Sequence, residues 1–258
     1  MLPAQVLDLR PTSWQSVCHG NNGLPQTHDS RSAETQIGTR RRAMKIAIIG
    51  TGNVGSALGS SFVRAGHDVT FAARDAARTR EVAAKLGART ADSPAAAASG
   101  AEVIVLAVPF GEVEALAADL ALAATGKIVV DTTNPLKPDY SGLATEGGLS
   151  AAERIAVQMP GARVVKAFNT VFASVQADPT THGQTLDGLL AGDDADAKAT
   201  VAALARSVGL RPVDAGSLSG ARELEALAWL NISLQLRTGG NWSSAFVLLG
   251  APEAAIAA

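Results

Sequence analysis

Cysteine is almost missing from this sequence: among 258 residues there is one, Cys18. A lone cysteine excludes an internal disulfide and a cysteine metal cluster, and it fits a reducing cytoplasm. No apolar run approaches the roughly 18 residues that cross a bilayer, so no membrane span is expected. Neither sign of charge is in excess: the net charge is −2, with acids and bases interspersed. That removes the electrostatic reason to expect nucleic acid or a membrane surface as partner and leaves small molecules. The length, with 47% hydrophobic residues, suffices for a substantial core in one or two domains.

Residues 1–43 have no apolar periodicity and are rich in Pro, Ser, Thr, Gln, Asn and Gly. They read as a disordered or non-native extension. Arg40, Arg41 and Arg42 precede an apolar run, but that run is broken at Gly50, which argues against a twin-arginine export signal. Met44 directly precedes the first strand, so translation is expected to begin there.

The rest of the chain is organised around Lys45 to Arg74. Lys45–Ile49 is a short apolar strand; Gly50, Gly52 and Gly55 follow at G-x-G-x-x-G spacing; an apolar-periodic helix runs on to Gly66, and Asp68–Ala72 is a second strand. Gly50 would let the chain turn off the strand, Gly52 would let a pyrophosphate approach the backbone, and Gly55 would let the helix lie close to the sheet. The helix N-terminus offers unpaired N–H groups and positive potential to a diphosphate. Thus Gly50, Thr51, Gly52, Asn53, Val54 and Gly55 are expected to bind a dinucleotide. An acid after the second strand would select NAD through its ribose hydroxyls, but Ala73 and Arg74 stand there. Arg74, with Arg78 one turn later, favours NADP, since a guanidinium can bond a 2′-phosphate twice. Asp75 caps the next helix in either case.

Strands and helices then alternate. Helices are expected at Ala76–Leu86 and Pro94–Ala98, a strand at Glu102–Val108, a helix at Gly111–Ala124 and a strand at Lys127–Thr133. The unbroken hydrophobicity of those strands implies cover on both faces, as in a parallel sheet. Beyond them come a helix at Ser150–Gln158 with a capping box, a strand at Arg163–Phe168, a strand at Leu189–Gly192, a helix to Ser207, a strand at Gly209–Asp214 and a long helix at Ala221–Arg237. The fold class is α/β: a doubly wound parallel sheet of Rossmann type with a smaller C-terminal α/β extension and a long last helix. Residues 44–149 form the expected dinucleotide-binding domain, and 150–258 the smaller part completing a second-substrate site. Ligands of such sheets lie beyond the carboxyl ends of the strands, which adds Val108, Pro109, Asn134 and Pro135 to the candidates.

MKIAIIGTGNVGSALG, DTTNPLKPDYSGL, GARVVKAFNTV, LLAGDD and GLRPVDAGSLSGARELE together resemble the NADPH-dependent coenzyme F-420 reductases, and the NADPH-binding domain of membrane ferric reductases is similar. The resemblance runs in order over Met44 to Gly250. It implies hydride exchange between C4 of the nicotinamide of NADPH and C5 of a deazaflavin, coenzyme F-420, in a cytoplasmic oxidoreductase. By position, Val108-Pro109 and Asn134-Pro135 would hold the nicotinamide end, and Phe168, Asn169 and Thr170 would lie against the second ring. Hydride transfer needs two rings held face to face, so the absence of a Ser/His/Asp set, a metal cluster or a lysine base fits it: no residue is assigned as catalytic. His67 reads as a turn residue rather than a catalyst, His182 as a loop residue, and Asp193-Asp194 as a helix cap; Trp229 and Trp242 read as core or dimer contacts. The last helix is the element available for a homodimer. Lys137 is the main basic group in the 137–148 loop to meet the acidic tail of a deazaflavin. FMN, FAD, a quinone, or a small carbonyl or imine are the other acceptors left open, as is a non-enzymatic NADPH-binding redox sensor.

Overall fold

The computed structural model describes residues 42–145, 148–180 and 183–251. Cys18 and His182 lie outside the described residues, and of 1–43 only Arg42 and Ala43 are included. The strands are β1 (Lys45–Ile49), β2 (Asp68–Ala72), β3 (Arg89–Thr90), β4 (Val103–Leu106), β5 (Ile128–Asp131), β6 (Arg163–Ala167), β7 (Asp187–Gly192) and β8 (Arg211–Asp214). They form one sheet in the order β3-β2-β1-β4-β5-β6-β7-β8. The helices are α1 (Asn53–Arg64), α2 (Ala76–Leu86), α3 (Pro94–Ser99), α4 (Val113–Leu120), α5 (Ala151–Gln158), α6 (Ala173–Gln176), α7 (Ala195–Ser207) and α8 (Ala221–Thr238).

The alternation of apolar residues along each strand builds two cores. Ile46, Ile48, Val105, Val130 and Val165 point to one face with Leu58 and Phe62 of α1 and Val201 and Leu204 of α7. Ala47, Ile49, Ile104, Leu106 and Val129 point to the other, with Val113, Ala117 and Leu120 of α4 and Ile155 of α5. Both faces are covered, which explains why β4 and β5 are apolar at nearly every position. Alanines and glycines bring the helices close: a Cβ on Gly59 of α1 would stand 2.2 Å from Phe71 Cζ.

β1 to β6 are mutually parallel, so their carboxyl ends share one edge. The sheet is continuous through β5 and β6, either side of residue 149. β7, however, runs antiparallel to β6, and β8 follows β7 in parallel. The doubly wound sheet is thus parallel from β3 through β6, and the smaller C-terminal extension joins it through one antiparallel pairing. The connection from β6 carries only the four-residue α6, which advances about 6 Å at the α-helical rise. β7 enters from the edge where β6 ends, which makes its pairing with β6 antiparallel. The expected helix at 111–124 is also shorter than its pattern suggests. A 3-10 turn at Phe110–Glu112 precedes α4, and after Leu120 three-residue bonds take over, Thr125 N to Leu122 O and Lys127 N to Ala124 O.

The local capping signals are realised. Asp75 accepts from Arg78 N, Asp194 from Ala197 N, and Ser150 with Glu153 forms the reciprocal capping box. Asp193 accepts from Leu218 N instead. His67 lies at the amino edge of the sheet, its Nδ1 3.2 Å from Met44 N and its Nε2 3.0 Å from Ser207 Oγ. Ser207 already donates to Leu204 O, so Nε2 donates and Nδ1 accepts, a neutral structural histidine.

Candidate dinucleotide and ring-binding site

The glycine loop is shaped by close approaches. Gly50 has φ +116°, and a Cβ there would stand 2.3 Å from the carbonyl oxygen of Ala107 and 3.3 Å from Val108 Cγ1. A Cβ on Gly55 would stand 2.2 Å from Gly50 O. Both positions require glycine for the loop itself. Gly52 differs: nothing lies within 4 Å of a Cβ built on it, so its open side faces space. Gly52 is also the N-cap of α1, with no side-chain cap and no acid in the first turn, whereas α2, α3, α5 and α7 are capped by Asp75, Ser93, Ser150 and Asp194. An uncapped, acid-free helix start with open space before it suits an anionic group. Thr51 is buried and its carbonyl accepts from Ser56 Oγ, while Asn53 is exposed and Val54 half-buried at the start of the helix.

Arg74 follows β2 and is largely exposed. Its Nη2 donates to Glu112 Oε1 at 2.6 Å, across the end of β1 from the turn after β4. Arg78 is exposed one turn along α2. Val108 is half-buried and Pro109 exposed beside the loop. The glycine loop, Arg74 and Val108-Pro109 therefore share one rim of the sheet.

At the next strand ends, Asn134 and Asn169 bind each other: Asn134 Nδ2 donates to Asn169 O at 3.1 Å, and Asn169 Nδ2 donates to Asn134 Oδ1 at 3.0 Å and to Leu224 O at 3.1 Å. Thr133 Oγ1 and Asn169 Oδ1 are buried without a protein partner. Two candidates, Pro135 and Phe168, are buried at these strand ends. Phe168 is 1% exposed, its ring turned into the core edge-on to Phe62, with centroids 6.0 Å apart. A left-handed backbone at Phe168, φ +63°, sends its side chain inward and leaves Asn169 and Thr170 at the strand end. Trp242 packs edge-on against Phe172 just beyond this turn, and Trp229 is half-buried on α8.

Beneath the asparagines lies a buried charge cluster that the sequence reading missed. Lys166 Nζ donates to Asp131 Oδ2 at 2.8 Å, to Glu225 Oε1 at 2.8 Å and to Thr133 O at 2.6 Å, all essentially without solvent. Glu225 Oε1 also accepts from Ala151 N, and Glu225 Oε2 has no partner. Burial pushes the Glu225 carboxyl above its ordinary range against the pull of Lys166. A signal was present: a lysine and an aspartate inside strands read as buried on both faces must neutralise one another. Beside the cluster, a groove of about 310 Å³ between α4 and α5 is lined by Phe110, Val113, Leu149, Arg154, Ile155 and Val157.

These features define a doubly wound α/β protein of the dinucleotide-binding class. The family model described as NADP oxidoreductase coenzyme F420-dependent matches residues 45–135. The F420-dependent NADP reductase of Methanothermobacter thermautotrophicus is 35% identical over 213 residues, 75% of this chain and 90% of that protein. A crystal structure from Arthrobacter sp. FB24, of a candidate F420-dependent NADP-reductase, aligns with a TM-score of 0.72 at 32% identity, covering 80% of this chain and 100% of the other. The chain belongs to the F420-dependent NADP reductase family. Metalloreductase STEAP3 of Rattus norvegicus is 36% identical over 188 residues, 72% of this chain, and this chain spans 37% of the length of that protein. Among the described residues no helix is long and apolar enough to cross a membrane.

Proposed function

We propose that this chain transfers a hydride between NADPH and a deazaflavin of the coenzyme F-420 type. The observation that carries the nucleotide half is the start of α1: open space at Gly52 and no capping side chain or acid. The backbone from Gly50 to Gly55 receives the diphosphate there, its N–H groups and the helix dipole offsetting the charge. Arg74 leaves Glu112 for the 2′-phosphate, with Arg78 in support, and Val108-Pro109 lies against the rings of the nucleotide. Bound NADPH supplies the hydride from C4 of its nicotinamide, and C5 of the deazaflavin receives it.

The protein's part is position and dryness. Asn134 and Asn169 hold each other in place, and the orphaned acceptors Asn169 Oδ1 and Thr133 Oγ1 suit N–H donors of a carboxamide or a deazaflavin ring. α8 exposes Leu230 and Leu234 one turn apart, and we assign that stripe to a homodimer contact.

The likeness to STEAP3 favours one other acceptor. A metal ion takes single electrons while NADPH gives two with a proton, so a metalloreductase needs a carrier such as FMN or FAD between them. Transfer from NADPH deuterated at C4 tests both readings. Deuterium found at C5 of reduced F-420 supports the proposal; reduction of flavin alone, with the label lost from C4 of NADPH into water through the exchangeable flavin N5, moves the acceptor to that class.

A further inference from the structure

The turn after β6 is strained and clamped by one side chain. Phe168 sits at φ +63° while 1% exposed, a conformation that bulky residues adopt only where their surroundings enforce it. Gln176 of α6, 2% exposed, supplies the enforcement. Its Nε2 donates to Phe168 O at 2.8 Å and to Val171 O at 2.9 Å, bracketing Asn169 and Thr170 between the two bonds. Its own carbonyl accepts from Ser61 Oγ of α1 at 2.9 Å, and the next carbonyl, Ala177 O, accepts from Arg64 at 2.6 Å. The helix that opens on the glycine loop is therefore tied through Gln176 to the turn that carries Asn169.

We propose that Gln176 is a positioning residue: its amide holds the left-handed Phe168 turn so that Asn169 meets Asn134 with Oδ1 free for a ligand. Gln176 Oε1 has no partner, so its two donated bonds are its polar contribution to the turn. Without them Phe168 is free to relax toward right-handed or extended backbone, which rotates Asn169 away from Asn134. The catalytic consequence rests on the proposed hydride transfer; the structural one does not.

Gln176→Met keeps the volume and removes both donors. Two readouts are taken on the full chain: proton exchange of the Asn169 side-chain amide by NMR, and steady-state kinetics with NADPH and F-420. Expected are faster exchange at Asn169 with β1 amides unchanged, and kcat lowered about tenfold or more, the scale of a misplaced contact, with the NADPH dissociation constant within about twofold. Gln176→Asn, whose amide is retained but shorter, should fall between the two. Unchanged exchange at Asn169 in Gln176→Met overturns the inference whatever the kinetics show. Altered exchange with no F-420 turnover in wild type keeps the inference and removes the function it was to serve. Losses of kcat and NADPH affinity together, with β1 amides unprotected, reduce Gln176 to a folding residue and overturn it.

Discussion

Arg74 and Glu112 meet across the end of β1, Nη2 of the one 2.6 Å from Oε1 of the other. One follows β2 and the other the turn after β4, so the pair straddles the glycine loop. With side chains 84% and 33% exposed, such a pair contributes only about 0–1 kcal/mol, and a dianionic 2′-phosphate would readily displace the carboxylate. Arg74→Ala should weaken NADPH binding by about 1.5–3 kcal/mol and leave NADH nearly unchanged. Glu112→Gln should tighten NADPH by about two- to fivefold without changing NADH. Calorimetric titration of both nucleotides measures this; equal shifts for the two would remove Arg74 from the phosphate.

Gly52 and Gly55 make opposite demands. A side chain at Gly52 meets open space, so Gly52→Val should fold with a melting temperature close to wild type and bind neither NADPH nor NADH. At Gly55 a Cβ collides with Gly50 O, so Gly55→Ala should be destabilised in the absence of nucleotide. Thermal melts with binding titrations separate the two. A Gly52→Val protein that still binds NADPH would place the diphosphate elsewhere.

Glu225 gives a pH signature. Its raised carboxyl keeps a proton when folded at pH values where the unfolded chain has lost it. Its contribution is full below 4.5 and is lost as pH rises through the raised value. The melting temperature of Glu225→Gln relative to wild type should therefore increase from pH 4.5 upward. A difference independent of pH would contradict it. Lys166→Met, which leaves Asp131 and Glu225 buried without their cation, should cost about 3–5 kcal/mol, measured by urea unfolding.

Glu153 has the opposite sign. The Arg222 guanidinium, 2.6 and 2.8 Å away, holds its carboxyl at about 2. The stability it contributes is present above 4.5 and lost as pH falls toward 2. Arg222→Ala should flatten that part of the acid-denaturation curve followed by circular dichroism; an unchanged curve would assign acid unfolding to other groups.

What could be read in the sequence was local. The strand, glycine loop and helix at Lys45–Arg64, the Asp75 cap and the Ser150–Glu153 capping box each depend on residues within a few positions. The charge cluster pairs Lys166 with groups 35 and 59 residues away, and Arg74 lies 38 from Glu112; no local pattern joins them. The direction of β7 depends on the course of the connection at 168–186, whose one helix among the described residues is the four-residue α6, and no local pattern announces it. Phe168 ran against residue preference itself: in Phe168-Asn169 the asparagine is the residue expected to accept left-handed backbone, yet the phenylalanine does, because Gln176 and the core hold it there.

The central claim is the acceptor. Purified protein and NADPH are mixed anaerobically with oxidised coenzyme F-420, and with FMN and FAD in parallel, while absorbance is followed at the deazaflavin band. The account predicts rapid bleaching of F-420 with little change in either flavin. Bound NADPH with F-420 left unbleached would contradict it.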